Sequence, residues 1–216
     1  WAADIKEVDM VATHLGRLRD KYPLDHEHFL AKSVEHVMSL ALSQEWRRVI
    51  LETRQAANNL IRLRSKLKKM HTAAQLDAQN AAVGGADASR EEAIERDLLA
   101  RMGQIDLYLC TSNMLHAQAC VAYSGKESLP PMQQQQWFAA SYELALNSLG
   151  ANARITLSIR FSHAQWLMDR KMFAHAASIC EDIAIKMIST YSALSFIHDV
   201  RLVHALRSLS RCFMHI

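Results

Sequence analysis

Apolar residues recur every three or four positions along nearly the whole chain, the spacing that puts them on one side of an α-helix. Asp4 to about Asp20 carries Ile5, Val8, Val11 and Leu15 in that register. Tyr22-Pro23-Leu24-Asp25 interrupts it, because proline disfavours helix in the residue before it and Asp25 can cap the next helix. A long helix is predicted from His26 to about Ala56, through Phe29, Val34, Val37, Leu40, Trp46, Val49 and Ile50. Asn58-Asn59 marks its end, and Leu60, Leu63, Leu67 and Met70 form the buried stripe of the next helix, to about Ala82. Gly84-Gly85 is the clearest loop. Ser89 with Glu92 reads as a capping box, so another helix starts near Arg90 and runs toward Tyr123. After the loop from Gly125 to Pro131, helices are expected over 131–149, 153–168, 172–189 and 198–214. The last is read with Val203, Leu206, Leu209 and Phe213 as its buried stripe. The chain is therefore expected to be all-α: one domain over 1–216, an antiparallel bundle of about eight helices. Small Ala residues at close-packing positions after residue 131 suggest solenoid-like helix pairing.

Composition narrows the class. Only 6 Gly and 3 Pro occur in 216 residues, too few turn formers for a β-sandwich or barrel. Hydrophobic residues make up 50% and charged ones 22%, which excludes a disordered chain. No apolar run reaches about 18 residues, so no membrane span is expected. The start, Trp1 to Lys6, has no basic stretch followed by an apolar one, so no signal peptide is read there. Cys110, Cys120, Cys180 and Cys212 lie far apart in apolar stretches, which reads as reduced, buried thiols of a cytoplasmic protein. A net charge of +3 does not demand a polyanionic partner.

No enzyme, cofactor or metal signature stands out. Gly84-Gly85 lacks the strand and further glycines of a phosphate-binding loop. In Asp25-His26-Glu27-His28 the two histidines are two residues apart on a helix and point to different sides, so no metal is expected. His163 and His175 have no third group to orient them for nucleophilic catalysis. Arg54, Arg62, Arg64, Lys66, Lys68 and Lys69 form the densest charge run. They read as the solvated face of the helix that buries Leu60, Leu63 and Leu67. No aromatics interleave for base stacking, so nucleic acid is not the expected partner.

Several stretches, in order and with matching spacing, resemble the 14-3-3 family. Glu7-Val8-Asp9-Met10-Val11 is similar to the start of the family's second helix. Leu30 to Val49 lies without gaps on its third helix, with Trp46-Arg47 matching a Trp-Arg pair. Met102-Gly103 through Leu107-Tyr108-Leu109 looks like the fifth helix. Ala153 to Ser162 is similar to the family's Ile-Arg-Leu-Gly-Leu-Ala-Leu-Asn-Phe-Ser, and Leu206-Arg207 with Phe213 fits its final helix. The resemblance covers most of the chain, as a divergent member with the family's first helix largely missing. It implies a concave groove that holds an extended phosphoserine or phosphothreonine peptide of a partner protein, hence an adaptor.

Carried over residue by residue, the family's phosphate clamp is degraded. Its Lys and Arg on helix three fall on His36 and Ser43, and its Arg-Tyr pair falls on Leu107 and Tyr108. Two peptide-binding Asn positions fall on Arg160 and Leu209, a Val on His163, a Glu on Leu167 and a groove Lys on Ala100. Ile159, Leu206, Leu209 and Phe213 would form the apolar wall. Each lost charge-assisted bond removes about 1.5–3 kcal/mol. Partial compensation would come from Arg160, and from His36 and His163 charging below about pH 6.5, unless these histidines are simply solvated. The rival reading pairs Arg160 with a neighbouring acid. Lys6 and Asp9 keep charge types that the family uses at its dimer interface, so a homodimer is compatible though weakened by Asp4. The alternative function is a helical-repeat scaffold with an unused groove and a basic surface for nucleic acid or acidic protein.

Overall fold

The computed structural model of the chain describes residues 26–84, 89–123, 129–190 and 200–215. Among the described residues there are seven helices and no strand: α1 (Glu27–Leu42), α2 (Trp46–Gly84), α3 (Ser89–Ala122), α4 (Pro131–Leu149), α5 (Arg154–Asp169), α6 (Phe173–Thr190) and α7 (Val200–Phe213). The helix expected over 4–20, with Lys6 and Asp9, lies outside the described residues. Of the described residues, 26–44 together with those between 52 and 112 form one compact unit, and 45–51 with those from 113 onward form a second.

The expected helix over 26–56 is divided. The imidazole Nδ1 of His26 caps α1 by accepting from the His28 amide at 3.3 Å. Phe29, Leu30, Val34, Val37 and Leu40 form its buried stripe. The helix ends where Gln44 turns left-handed at φ 59°, with its amide donating to the Ala41 carbonyl. A new helix begins with Val49 donating to the Glu45 carbonyl. That break interrupts the Leu30–Val49 stretch, and no break occurs at Asn58-Asn59. Asparagine costs a helix only a few tenths of a kcal/mol. Burial of Ala56, Asn59, Leu60 and Leu63 on one stripe outweighs that cost. Met70 is half-exposed rather than buried.

Polar contacts fix the antiparallel register of α2 and α3. The Ser112 hydroxyl donates to the Thr53 carbonyl, Arg64 grips Asp106 with two nitrogens, and Gln75 donates to Glu95 at 3.0 Å. Partner numbers rise on one helix as they fall on the other. Arg101 of α3 donates through Nε and Nη2 to Glu27, which ties the start of α1 to α3.

In the second unit each of α4 to α7 packs on its neighbour in sequence. Pro131 opens α4 at the position where a missing N–H costs nothing. Gly150, at φ 87°, closes it by donating to the Leu146 carbonyl. Phe138, Trp166 and Leu167 fill the core beside Ala164, Ala176, Ala177, Ala184 and Ala205. The stripe that α7 buries is Ala205, Ser208 and Cys212, with Leu209 half-buried; Val203, Leu206 and Phe213 face outward instead. Small residues let α7 approach α6 closely, and the bulky ones are left on the other side. All four cysteines are free and buried.

The α5–α6 turn is a Schellman closure. Met172 donates to the Leu167 carbonyl and Lys171 to that of Met168, with Lys171 left-handed at φ 60°. A Cβ in that region costs about 1–2 kcal/mol. Lys171→Gly is therefore expected to stabilise the protein by up to about 1 kcal/mol, read from the urea midpoint at constant slope. A destabilised Lys171→Gly protein would contradict this account of the turn.

Candidate functional site

The residues that the sequence singles out fall in two places, each built within one unit. In the first unit, Ala100, Arg101, Gln104, Ile105 and Tyr108 lie on one face of α3, at the spacing that aligns neighbouring turns. Opposite stand His26, Glu27, His28 and Ala31 at the start of α1. Together they enclose a cleft of about 510 Å³. Ala31 and Ala100 give it apolar surface. Gln104 offers an amide donor and acceptor, and Tyr108 a phenol. The N-terminus of α1 opens here, and a helix start carries partial positive charge. The Arg101–Glu27 pair crosses the cleft and raises the pKa of the guanidinium; the hydrogen bond to Glu27 outweighs the opposing burial. His26 and His28 share the cleft, but no group of three or more His, Cys, Asp or Glu among the described residues is placed to hold a metal.

Of the carried-over clamp, only Tyr108 lines this cleft. Leu107 is on the adjacent, exposed side of α3. Ser43 caps the other end of α1, where its amide donates to the Ser39 carbonyl. His36 is buried at 5% exposure, so it is neither solvated nor presented on a groove surface. The cause is its register: positions 30, 34 and 37 on either side of it all turn inward.

In the second unit Arg160 of α5 is the centre of a polar cluster. Its guanidinium lies over the Tyr142 ring of α4, 4.5 Å from the centroid. Its Nε is 3.8 Å from an Asp182 oxygen on α6. The same oxygen accepts from Lys186 Nζ at 2.8 Å, and Lys186 also donates to the Tyr142 hydroxyl at 2.9 Å. Burial draws the Lys186 pKa down, but the hydrogen bonds to Asp182 and Tyr142 raise it further, so the net shift is upward. Arg160 thus lies within ion-pair range of an acid on the next helix, without a hydrogen bond from its Nε.

His163 lies one turn from Arg160 but points into the core. It stacks on Phe138 with centroids 4.7 Å apart and planes 8° from parallel. Burial, aided by the Arg160 charge, pushes its pKa down to about 4. It therefore stays neutral at pH 6, and the expected gain of charge on mild acidification does not arise there. Ile159 is wholly buried and forms core rather than a groove wall. Leu206 and Phe213 are exposed, and Leu209 is half-buried.

Sequence reasoning missed Arg101, Gln104, Tyr142, Asp182 and Lys186. Arg101 and Gln104 sit seven and four residues before Tyr108, a helical-face signal readable from Tyr108 backward. Asp182 and Lys186 are a visible i, i+4 pair, but nothing local connects them to Tyr142 or Arg160. On α2, Arg64 is committed to Asp106, while Arg62, Lys66, Lys68 and Lys69 are exposed above buried Leu60, Leu63 and Leu67.

A search of protein-family models, of curated proteins and of solved structures finds no match to the chain.

The buried His163 makes stability depend on pH in a defined direction. Its folded pKa of about 4 is below the ordinary 6.5, so between these values the unfolded chain binds a proton that the folded one refuses. Stability falls as pH drops from about 6.5 to about 4, and this contribution levels off below. Urea midpoints at several pH values should show a smaller acid loss for His163→Phe than for the wild type. Equal losses would place the titration elsewhere.

Proposed function

We propose that the chain is a 14-3-3-like adaptor in which the cleft between the start of α1 and the middle of α3 holds a peptide segment of a partner protein. The observation that carries this reading is the placement of Tyr108, Gln104 and Arg101 along one wall of that cleft, with the N-terminus of α1 opposite. A volume of about 510 Å³ is in the range of sites that enclose a small ligand or a few peptide side chains. Gln104 can pair with both donor and acceptor of a peptide backbone. Ala31 and Ala100 offer contact to an apolar side chain. Two positions that the family resemblance assigns to its groove, Ala100 and Tyr108, line this same cleft, which supports the reading independently of the volume.

The site favours an acidic side chain without demanding a phosphate. The α1 N-terminus and the Tyr108 hydroxyl suit a carboxylate or phosphate oxygen. Arg101 already gives its guanidinium to Glu27. With Ala100, Leu107, Ser43 and the buried His36 at the family's cationic positions, phosphate contributes to affinity but does not set it.

Fluorescence anisotropy with a library of peptides in matched phosphorylated and unphosphorylated forms tests the proposal. Binding is expected in both forms, with a modest preference for the phosphorylated one. Tyr108→Ala and Arg101→Gln are each expected to weaken it by about 1–2 kcal/mol, roughly 5- to 30-fold. Absence of binding across the library, or unchanged affinity in Tyr108→Ala, would refute the assignment.

A further inference from the structure

We propose that Arg160, Lys186 and Tyr142 form a binding point for a phosphate monoester dianion, a site separate from the α1–α3 cleft and closed in the free protein by the side chain of Asp182. The three ligating groups come from three successive helices, α5, α6 and α4: Arg160 and Lys186 approach one oxygen of Asp182, and Lys186 also donates to the Tyr142 hydroxyl. Two cations, Arg160 and Lys186, both approach the Asp182 carboxylate. Arg160 is three-quarters buried, and its Nε is shielded from water without a hydrogen-bond acceptor, since the Asp182 oxygen at 3.8 Å is beyond bonding range. A buried, unsatisfied guanidinium N–H marks a place for another acceptor. Tyr142 accepts from Lys186, so its own hydroxyl proton is directed toward a further acceptor.

Charge selects the ligand class. A carboxylate that replaced Asp182 would exchange one negative charge for another and gain little. A phosphate monoester brings nearly two charges and three acceptor oxygens, enough to serve Arg160, Lys186 and the Tyr142 hydroxyl together. Asp182 is more than a third exposed, so its carboxylate can turn to solvent when the phosphate arrives. The Tyr142 ring holds the Arg160 guanidinium flat in either state. Asp182 acts as the built-in competitor.

The role of Asp182 separates this proposal from a purely structural ion cluster. Titrations of the full chain by calorimetry would use inorganic phosphate, and in a second arm a phosphoserine pentapeptide with neutral flanking residues. Asp182→Asn is expected to tighten phosphate binding about 3- to 10-fold, because it removes the competitor. Arg160→Gln and Lys186→Gln should weaken it at least 10-fold, and Tyr142→Phe about 3-fold, with the helical circular dichroism unchanged. Arg160→Lys should retain part of the affinity. Peptide binding tighter than that of inorganic phosphate identifies a phosphorylated side chain as the ligand, whereas equal affinity identifies the free ion. Loss of affinity in Asp182→Asn, or no measurable phosphate binding by either the wild type or Asp182→Asn, would overturn the proposal. Tyr108→Ala should leave this titration unchanged, so failure here and failure of the α1–α3 cleft are read separately.

Discussion

Close helix approach through small side chains governs the second unit. Ala164, Ala176, Ala177, Ala184 and Ala205, with Cys180 and Cys212, occupy the contacts where α5, α6 and α7 meet. Small residues bring helix axes together and let a few large ones, Phe138 and Trp166 above all, fill the remaining space. The bulky apolar residues of α7 then have no room on its inner side and face outward. On another face, the long side chains of Tyr142, Arg160 and Lys186 reach across three helices to one point, which wider spacing would not allow. Burial by the same packing pushes the Cys180 thiol up to about 12, and burial in the first unit pushes that of Cys110 up to about 11. A thiol held in its protonated form is a poor nucleophile.

The first unit relies on polar cross-links between long helices. An α2 of 39 residues extends for about 58 Å at 1.5 Å per residue, and one apolar stripe along it leaves register weakly specified. The pairs 53–112, 64–106 and 75–95 select one register from several that would bury similar area. Two-pronged Arg–carboxylate bonds suit that task because their geometry tolerates little sliding. The Arg101–Glu27 bond does the same for α1 and so defines one end of the cleft. The cleft is a product of register, set by charged residues rather than by the core.

Much of the helical architecture is legible in the chain. Pro131, Gly150 and the short Asp169–Lys171 joint place α4, α5 and α6 within a residue of their observed ends, because each uses a strong local signal. The division between α1 and α2 is not legible, since Gln44 takes a left-handed conformation that sequence associates with glycine or asparagine. Asn58-Asn59 signals a break, and burial overrides it. On α7 the apolar periodicity points to the stripe of Val203, Leu206, Leu209 and Phe213, yet the small residues Ala205, Ser208 and Cys212 turn inward instead. Of the candidate site, Tyr108 is in a cleft and Arg160 in a polar cluster, while His36, His163 and Ile159 are core. Tyr142 and Lys186, 44 residues apart, come together only through tertiary packing.

The central claim is that a partner peptide occupies the cleft at the start of α1. Backbone hydrogen exchange measured with and without a saturating peptide from the library addresses it most directly. An occupied cleft predicts slowed exchange at residues 26–31 and 100–108, with α6 and α7 unaffected by an unphosphorylated peptide. Protection confined to α7, around the exposed Leu206 and Phe213, with none at 26–31 and 100–108, would contradict it.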